Sequence, residues 1–167
     1  MTPFANRMNS LGLLFLSVAA CCVAAAPPLR PSTTVDEYVG ELNITLEHHY
    51  VVTEDGYILQ LHRLLNPGKP VVFLQHGILA SSWCWLINEP TAAPAIVLYN
   101  AGYDVWLGNS RGNRYSTNHT TLSTRSKEFW NFTFDEMARF DLPAVVNYVS
   151  EHPTTKDGKF PYVGWSQ

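Results

Sequence analysis

Two short apolar segments, each running directly into a glycine turn, constrain the fold of this chain most. Residues 71–75 lead into His76-Gly77, and residues 160–163 lead into the final four residues, Gly164-Trp165-Ser166-Gln167. A continuous apolar run of this length is typical of a strand that is buried on both faces of a sheet. Gly-x-Ser directly after such a strand indicates a tight turn with the serine hydroxyl at its tip. The two segments therefore predict a buried sheet with a polar site where its strands end.

The segments between these two runs predict helices and strands that alternate. Apolar residues at helical spacing predict a short helix over 34–42, and a turn at 54–56 between two apolar runs predicts a β-hairpin. Further helices are expected at 93–100, 134–140 and 143–151, and further strands at 71–75, 103–107 and 160–163. Alternation of this kind predicts an α/β fold with a mostly parallel sheet.

The composition is that of an ordinary globular domain. The chain is 46% hydrophobic and 15% charged, so it can form a core, and its formal net charge is -3. No basic cluster of the kind that binds nucleic acid is present in the sequence, so we expect no nucleic-acid partner. Cys84 is the one cysteine beyond residue 26, which argues against a disulfide framework.

Residues 1–26 have the pattern of a secretory signal peptide. Arg7 is the one charged residue in this stretch, residues 11–23 are almost uniformly apolar, and Ala24 to Ala26 supply the small residues of a cleavage site. The apolar run is shorter than the ~20 residues that span a bilayer. An uncleaved anchor is the alternative, but we expect a mature chain without a transmembrane segment, either extracellular or lysosomal.

Three Asn-x-Thr sequons agree with a secretory route and are predicted glycosylation sites. They lie at Asn43, Asn118 and Asn131. Asn131 stands in an aromatic stretch and is expected to be buried, so it is the sequon least expected to carry a glycan.

Ser166 and the turn at His76-Gly77 carry the predicted chemistry. Transfer of an acyl group from an ester to a serine needs two N–H donors aimed at the developing oxyanion. One such donor follows the nucleophile in sequence, and the other comes from the loop after an earlier strand. Gln167 and Ile78 occupy these two places in the sequence. Each element taken alone is more often an ordinary turn, but the two together, each directly after a buried-type strand, favour a catalytic site.

With these elements in place, the chain resembles the acid lipases, a family of α/β-hydrolases that includes gastric, lysosomal and insect secreted lipases. The matching stretches follow the family's order and lie at 50–59, 74–82, 101–113, 128–130, 134–144 and 162–167. The resemblance implies the N-terminal part of an α/β-hydrolase fold that stops just after the nucleophile elbow. Residues 27–67 would form an N-terminal lipase-associated segment, and residues 68–167 an incomplete N-terminal half of the core.

The resemblance also implies roles for three residues. Ser166 would be the nucleophile, and the backbone N–H groups of Ile78 and Gln167 would form the oxyanion hole. Family members hydrolyse triacylglycerols, sterol esters or related acyl esters at a lipid–water interface through an acyl-enzyme, without a metal or organic cofactor. Trp165 stands where the family usually has histidine, which leaves the triad itself unaffected.

The catalytic acid and histidine cannot be assigned in this chain. In this fold the triad runs serine, then acid, then histidine, whereas all six histidines here precede Ser166. We therefore expect a serine lipase or esterase of which these 167 residues are a fragment, inactive alone. The alternative is a non-catalytic secreted protein that binds lipid or a partner.

Several conspicuous polar residues have simpler interpretations. Asp104 and Trp106 are expected to be structural, and Asp141 is expected to be a surface charge. Arg111 belongs to a polar loop near the rim of the site, where we expect hydrogen bonds to shape the loop.

Overall fold

The computed structural model describes residues 33–166, so the signal peptide predicted for residues 1–26 lies outside the described residues. A mixed sheet forms the centre of the structure, with strand order β1-β2-β4-β3-β6 and β5 beside β2. Its strands are β1 (Leu46–Val52), β2 (Tyr57–Leu64), β3 (Val71–Gln75), β4 (Asp104–Leu107), β5 (Asn118–His119) and β6 (Tyr162–Gly164). The strands β4, β3 and β6 are parallel, and the β1–β2 hairpin joins them through the antiparallel β2–β4 pair.

Helices flank this sheet. They are α1 (Val35–Glu41), α2 (Pro94–Asn100), α3 (Phe134–Glu136) and α4 (Leu142–Glu151), with short 3₁₀ turns at Ser82–Trp85, Glu128–Trp130 and Lys156–Gly158. A capping box closes the start of α1, because Thr34 accepts from the Glu37 N–H while the Glu37 side chain accepts from the Thr34 N–H. Within residues 33–166, no helix has the length and apolarity needed to cross a bilayer.

The two helices predicted for 134–140 and 143–151 form one continuous helical path. A π-turn over Met137–Asp141 joins α3 to α4, where the sequence suggested a break. Pro143 has no N–H and cannot form the bond that an ordinary α-helix requires there. The wider π-turn accommodates this missing donor and keeps the chain helical.

Two apolar cores cover opposite faces of the sheet, which confirms the prediction that β3 is buried on both sides. Val72 and Leu74 face the core that contains α1 and α2, whereas Val71 and Phe73 face the core that contains α4. This alternation follows from the two-residue period of a strand.

The predicted structural roles of Asp104 and Trp106 are confirmed. Both are fully buried at the centre of the sheet. Asp104 accepts hydrogen bonds from Arg63 Nε at 2.9 Å and Nη2 at 2.6 Å, so its charge is compensated.

The last strand differs from its prediction. β6 spans only Tyr162–Gly164, and all three of its residues are exposed. Among the described residues β6 pairs only with β3, as the edge strand of the sheet. The segment was predicted to be a buried strand, but its apolar side chains are left exposed within residues 33–166.

Candidate active site

The chain makes its sharp turn directly after β6. The Trp165 N–H donates to the Gln75 carbonyl at 3.2 Å, which extends the pairing with β3 by one step. Ser166 follows with φ of 57°, in the left-handed region that non-glycine residues rarely adopt. A residue in this conformation costs roughly 1 kcal/mol or more, and such strain clusters at functional sites. Ser166 is exposed at the tip of this turn.

The loop after β3 lies against this turn, as the sequence predicted. Gly77 is buried, and a Cβ built on it would stand 2.7 Å from the Trp165 carbonyl oxygen and 3.0 Å from the Ser166 Cβ. Real Cβ atoms do not approach backbone atoms this closely, so this position requires glycine. The absence of a side chain at Gly77 is what lets the two sequence-predicted elements meet.

The Ile78 N–H is available at this junction. Among residues 33–166 it has no recorded intramolecular acceptor, and the Ile78 side chain is 56% exposed. Leu79 follows with φ of 60° and a fully exposed side chain, so the loop stands clear of the core. The second predicted donor, the Gln167 N–H, lies outside the described residues.

His76 fixes the peptide that carries this N–H. Its Nδ1 donates to the Gly77 carbonyl at 2.7 Å, while its Nε2 accepts from the Ser110 N–H at 3.0 Å. The Gly77 C=O and the Ile78 N–H belong to one planar trans peptide, so holding the oxygen also sets the direction of the N–H. Burial lowers the pKa of His76, which keeps the ring neutral and its Nε2 available as an acceptor.

A second anchor holds the far end of the same loop. The Ser82 N–H donates to Asn109 Oδ1 at 2.9 Å, and the Ser82 hydroxyl lies 2.8 Å from His62 Nδ1. The loop between His76 and Ser82, called the oxyanion loop below, is therefore fastened at both ends to neighbouring elements.

The loop over residues 108–113, called the β4 loop below, receives both of these anchors. Gln75 adds a third, because its Nε2 donates to the Ser110 hydroxyl at 3.0 Å. A Cβ on Gly108 would lie 2.2 Å from Gln75 Oε1, so this glycine makes room for the amide. Gln75 was not predicted as part of the site, although a polar residue at the end of an apolar strand is a signal that could have identified it.

The contacts of Arg111 confirm the expectation that hydrogen bonds shape this loop, but one of its two partners, Asp141, is unexpected. Arg111 is buried, and it pairs with Asp141 from the π-turn and with Asp55 from the hairpin turn. The prediction that Asp141 is a surface charge is therefore wrong. From the sequence, Asp141 was grouped with Asp135 and Glu136 as a charge on a helix surface, whereas the π-turn places its carboxylate against the β4 loop.

A cavity of about 650 Å³ opens between these loops. One wall is the oxyanion loop, another is the β4 loop, and the third is an aromatic segment, with lining residues that include Ile78, Leu79, Trp130, Phe132 and Phe134. The lining is mixed: the apolar side chains come mainly from the oxyanion loop and the aromatic segment, whereas the β4 loop contributes polar and charged groups. An apolar wall with a few polar groups is typical of a site for a ligand that has both kinds of surface.

The histidines of the described chain are engaged elsewhere. Within residues 33–166 no recorded hydrogen bond joins any of them to Ser166. His62 and His76 hold the loops already described, His48 contacts Asp36, His49 contacts Tyr148, His119 contacts the Asp55 carbonyl, and His152 contacts Thr154. The same part of the chain contains no group of three or more metal-ligating side chains.

The three sequon asparagines lie at the surface. Asn43, Asn118 and Asn131 are all exposed, so the expectation that Asn131 is buried is wrong. Asn131 separates Trp130 and Phe132, whose rings line the cavity, and its own side chain is not buried with them.

Comparisons with protein families divide the chain into two overlapping regions. Residues 35–89 match a family described as a partial alpha/beta-hydrolase lipase region, and residues 70–167 match the family described as the alpha/beta hydrolase fold.

Individual curated proteins show the same likeness. The chain is 40% identical to mouse "Lipase member K", over 92% of this chain and 43% of the mouse protein. It is 50% identical to rat "Gastric triacylglycerol lipase" over 72% of this chain and 32% of the rat protein. It is 43% identical to Drosophila melanogaster "Lipase 1" over 80% and 30% of the respective chains. The chain thus spans less than half the length of these relatives.

Solved structures agree on the fold. An esterase from Pyrococcus furiosus superposes with a TM-score of 0.56 at 18% identity, covering 84% of this chain and 46% of the esterase.

Proposed function

Because the chain belongs to the α/β-hydrolase family, and the curated relatives that it resembles are lipases, we propose that the protein is a serine lipase or esterase. Ser166 is the nucleophile, and its hydroxyl attacks the carbonyl carbon of an acyl ester. The observation that carries the proposal is the contact between the strained turn at Ser166 and the glycine peptide that presents the Ile78 N–H.

The geometry supports an acyl-enzyme reaction in two stages. As Ser166 Oγ bonds to the ester carbon, the carbonyl oxygen becomes an oxyanion, which the Ile78 and Gln167 N–H groups stabilise. Removal of one such donor typically costs about 10²–10³ in rate. A general base takes the hydroxyl proton of the serine and delivers it to the alcohol oxygen as the ester C–O bond breaks. Water, deprotonated by the same base, then releases the acyl group from the serine as a carboxylic acid. The apolar wall of the cavity beside Ile78 would hold the acyl chain of a neutral lipid such as a triacylglycerol or sterol ester.

The general base is proposed to lie outside residues 33–166. The described histidines are committed to other partners, and burial keeps His76 neutral as an acceptor rather than a base. A polypeptide of these 167 residues alone is therefore expected to lack ester turnover.

The protein is further proposed to follow the secretory pathway. The predicted signal at residues 1–26 and the exposed sequons support this route, as does the gastric origin in the name of one relative. An endoglycosidase that removes N-linked glycans should increase the gel mobility of the secreted protein.

Ester hydrolysis by the protein expressed from its natural gene tests the proposal. We expect turnover of p-nitrophenyl butyrate and of a triacylglycerol emulsion, and a loss of at least about 10³-fold in kcat for Ser166→Ala. Ser150→Ala is the matched control, because Ser150 lies on α4 and its hydroxyl only donates to the Asn147 carbonyl. Lipid binding without Ser166-dependent turnover would favour the non-catalytic alternative.

A further inference from the structure

Arg111 is held from three directions although it is almost completely buried. Its Nε donates to Asp141 Oδ1 at 2.8 Å, and its two terminal nitrogens donate to the Asp55 carboxylate at 2.6 and 2.8 Å. Its guanidinium also stacks 4.0 Å from the centre of the Tyr57 ring. One side chain thereby joins the hairpin turn, the β4 loop and the π-turn.

Two successive backbone amides of the β4 loop have different acceptors. The Arg111 N–H donates to Asp141 Oδ2 at 2.9 Å, and the Ser110 N–H donates to His76 Nε2 at 3.0 Å. The two amides belong to neighbouring planar peptide units that are joined through the φ and ψ angles of Ser110. The contacts of Arg111 with Asp141 and Asp55 hold one of these units in place and thereby restrict the directions open to the Ser110 N–H.

His76 Nε2 also accepts from Asn113 Nδ2 at 3.1 Å, and Asn113 belongs to the same β4 loop. These two donors from the β4 loop together favour the tautomer of His76 whose Nδ1–H holds the Gly77 carbonyl.

We infer that Arg111 is a positioning residue for the oxyanion site. By fixing the β4 loop, it keeps the Ser110 N–H on His76 and thereby sets the direction of the Ile78 N–H. Its catalytic meaning rests on the proposed function, whereas its effect on His76 is a property of the fold alone.

The geometry at this position requires an arginine. The guanidinium is a planar fork that can serve two carboxylates at once, while a lysine ammonium is a single point of charge on a flexible stem. A lysine at position 111 would retain the charge and lose the simultaneous contacts with Asp55 and Asp141.

Arg111→Lys in the full chain tests this inference, with Arg63→Lys as the matched control. Arg63 is also a buried arginine that forks onto a buried carboxylate, Asp104, but no recorded contact links it to either loop of the site. Amide exchange at Ser110 and the ¹⁵N shifts of the His76 ring are measured by NMR in each protein. In the unsubstituted protein we expect a single Nδ1–H tautomer.

We expect the NMR signals of Ser110 and His76 to change in Arg111→Lys and not in Arg63→Lys. Arg111→Lys should accelerate exchange at the Ser110 amide at least tenfold and shift the His76 ring nitrogens toward a mixture of tautomers. Arg63→Lys should change neither signal, even where its thermal stability falls by a similar amount. Unchanged Ser110 and His76 signals in Arg111→Lys would overturn the inference and leave Arg111 a purely structural residue.

A second variant and an esterase assay allow the inference to be tested even if Arg111→Lys does not fold. If Arg111→Lys does not fold, Asp55→Asn replaces it, since this variant weakens one side of the fork and leaves the Asp141 contacts intact. It should produce the same two changes to a smaller degree, and unchanged signals would again contradict the inference. Esterase assays separate the two proposals, because absent turnover in the unsubstituted protein contradicts the proposed function without altering the NMR result.

Discussion

The backbone of Gly77 packs so tightly against Ser166 that a methyl group on the glycine would stand 3.0 Å from the serine Cβ. This contact joins two elements that lie 89 positions apart in the sequence. It makes Gly77 the residue whose substitution should disturb the site most directly.

Gly77→Ala is expected to lower ester hydrolysis strongly. The added methyl group would also lie 2.7 Å from the Trp165 carbonyl oxygen, so either the serine turn or the Ile78 peptide must move. Misplacement of reacting groups by about 1 Å can cost on the order of 10²-fold in rate. Gly40→Ala is the control, since nothing lies within 4 Å of its added methyl group and it stands in helix α1. It should stabilise the protein slightly, and similar kcat values for both variants would contradict the close contact.

Asp104→Asn is expected to destabilise the fold severely. The substitution leaves the buried Arg63 guanidinium without its main counter-charge, and breaking such a buried pair costs about 3–5 kcal/mol. Asp36→Asn serves as the comparison, because the Asp36 carboxylate in its bridge to His48 is exposed to solvent and such a bridge contributes less than about 1 kcal/mol. Urea unfolding measures both changes, and equal losses of unfolding free energy would refute the assignment.

His62 should make the fold sensitive to acid. Burial, with a smaller contribution from nearby His48, lowers the pKa of His62 to about 4, while Asp36 opposes this shift. Because the folded pKa lies below the unfolded value of about 6.5, the unfolded chain binds the proton first. The associated stability is present above pH 6.5 and is lost as the pH falls toward 4, by roughly 3 kcal/mol in total.

His62→Asn removes this titration and retains a donor for the Ser82 hydroxyl. We therefore expect the unfolding free energy of the variant to fall less than that of the unsubstituted protein between pH 6.5 and 4. Both proteins are referenced to pH 8, where His62 is neutral in the folded and unfolded states. Parallel pH curves would show that His62 is not the titrating group.

The elements of the candidate site could be proposed from the sequence because their signals are local. The apolar run of β3, the glycine after it and the Gly-x-Ser turn each lie within a few residues, and the fold requires parallel strands to end at one edge. The resemblance to acid lipases then placed both segments in one site. Their contact is visible in the space left by Gly77.

The contacts that hold the two loops of the site in place could not be predicted in the same way. Gln75, His76 and Arg111 contact partners at least 30 positions away, and no local pattern identifies those partners. The π-turn was missed because a proline after a helical stretch more often begins a new helix than sits within a continuing one. Asp141 was then assigned to the surface, although this turn directs it to Arg111.

The proposed role of Ser166 as the nucleophile is tested most directly by finding which serine a covalent inhibitor modifies. The protein expressed from its natural gene is treated with a fluorophosphonate, which reacts with activated serines, and is then digested with trypsin and sequenced by mass spectrometry. We predict one adduct, on Ser166, in the peptide that begins at Phe160, and its absence in Ser166→Ala. Ester turnover with the adduct on a different serine, or with no adduct, would contradict the assignment of Ser166 as the nucleophile.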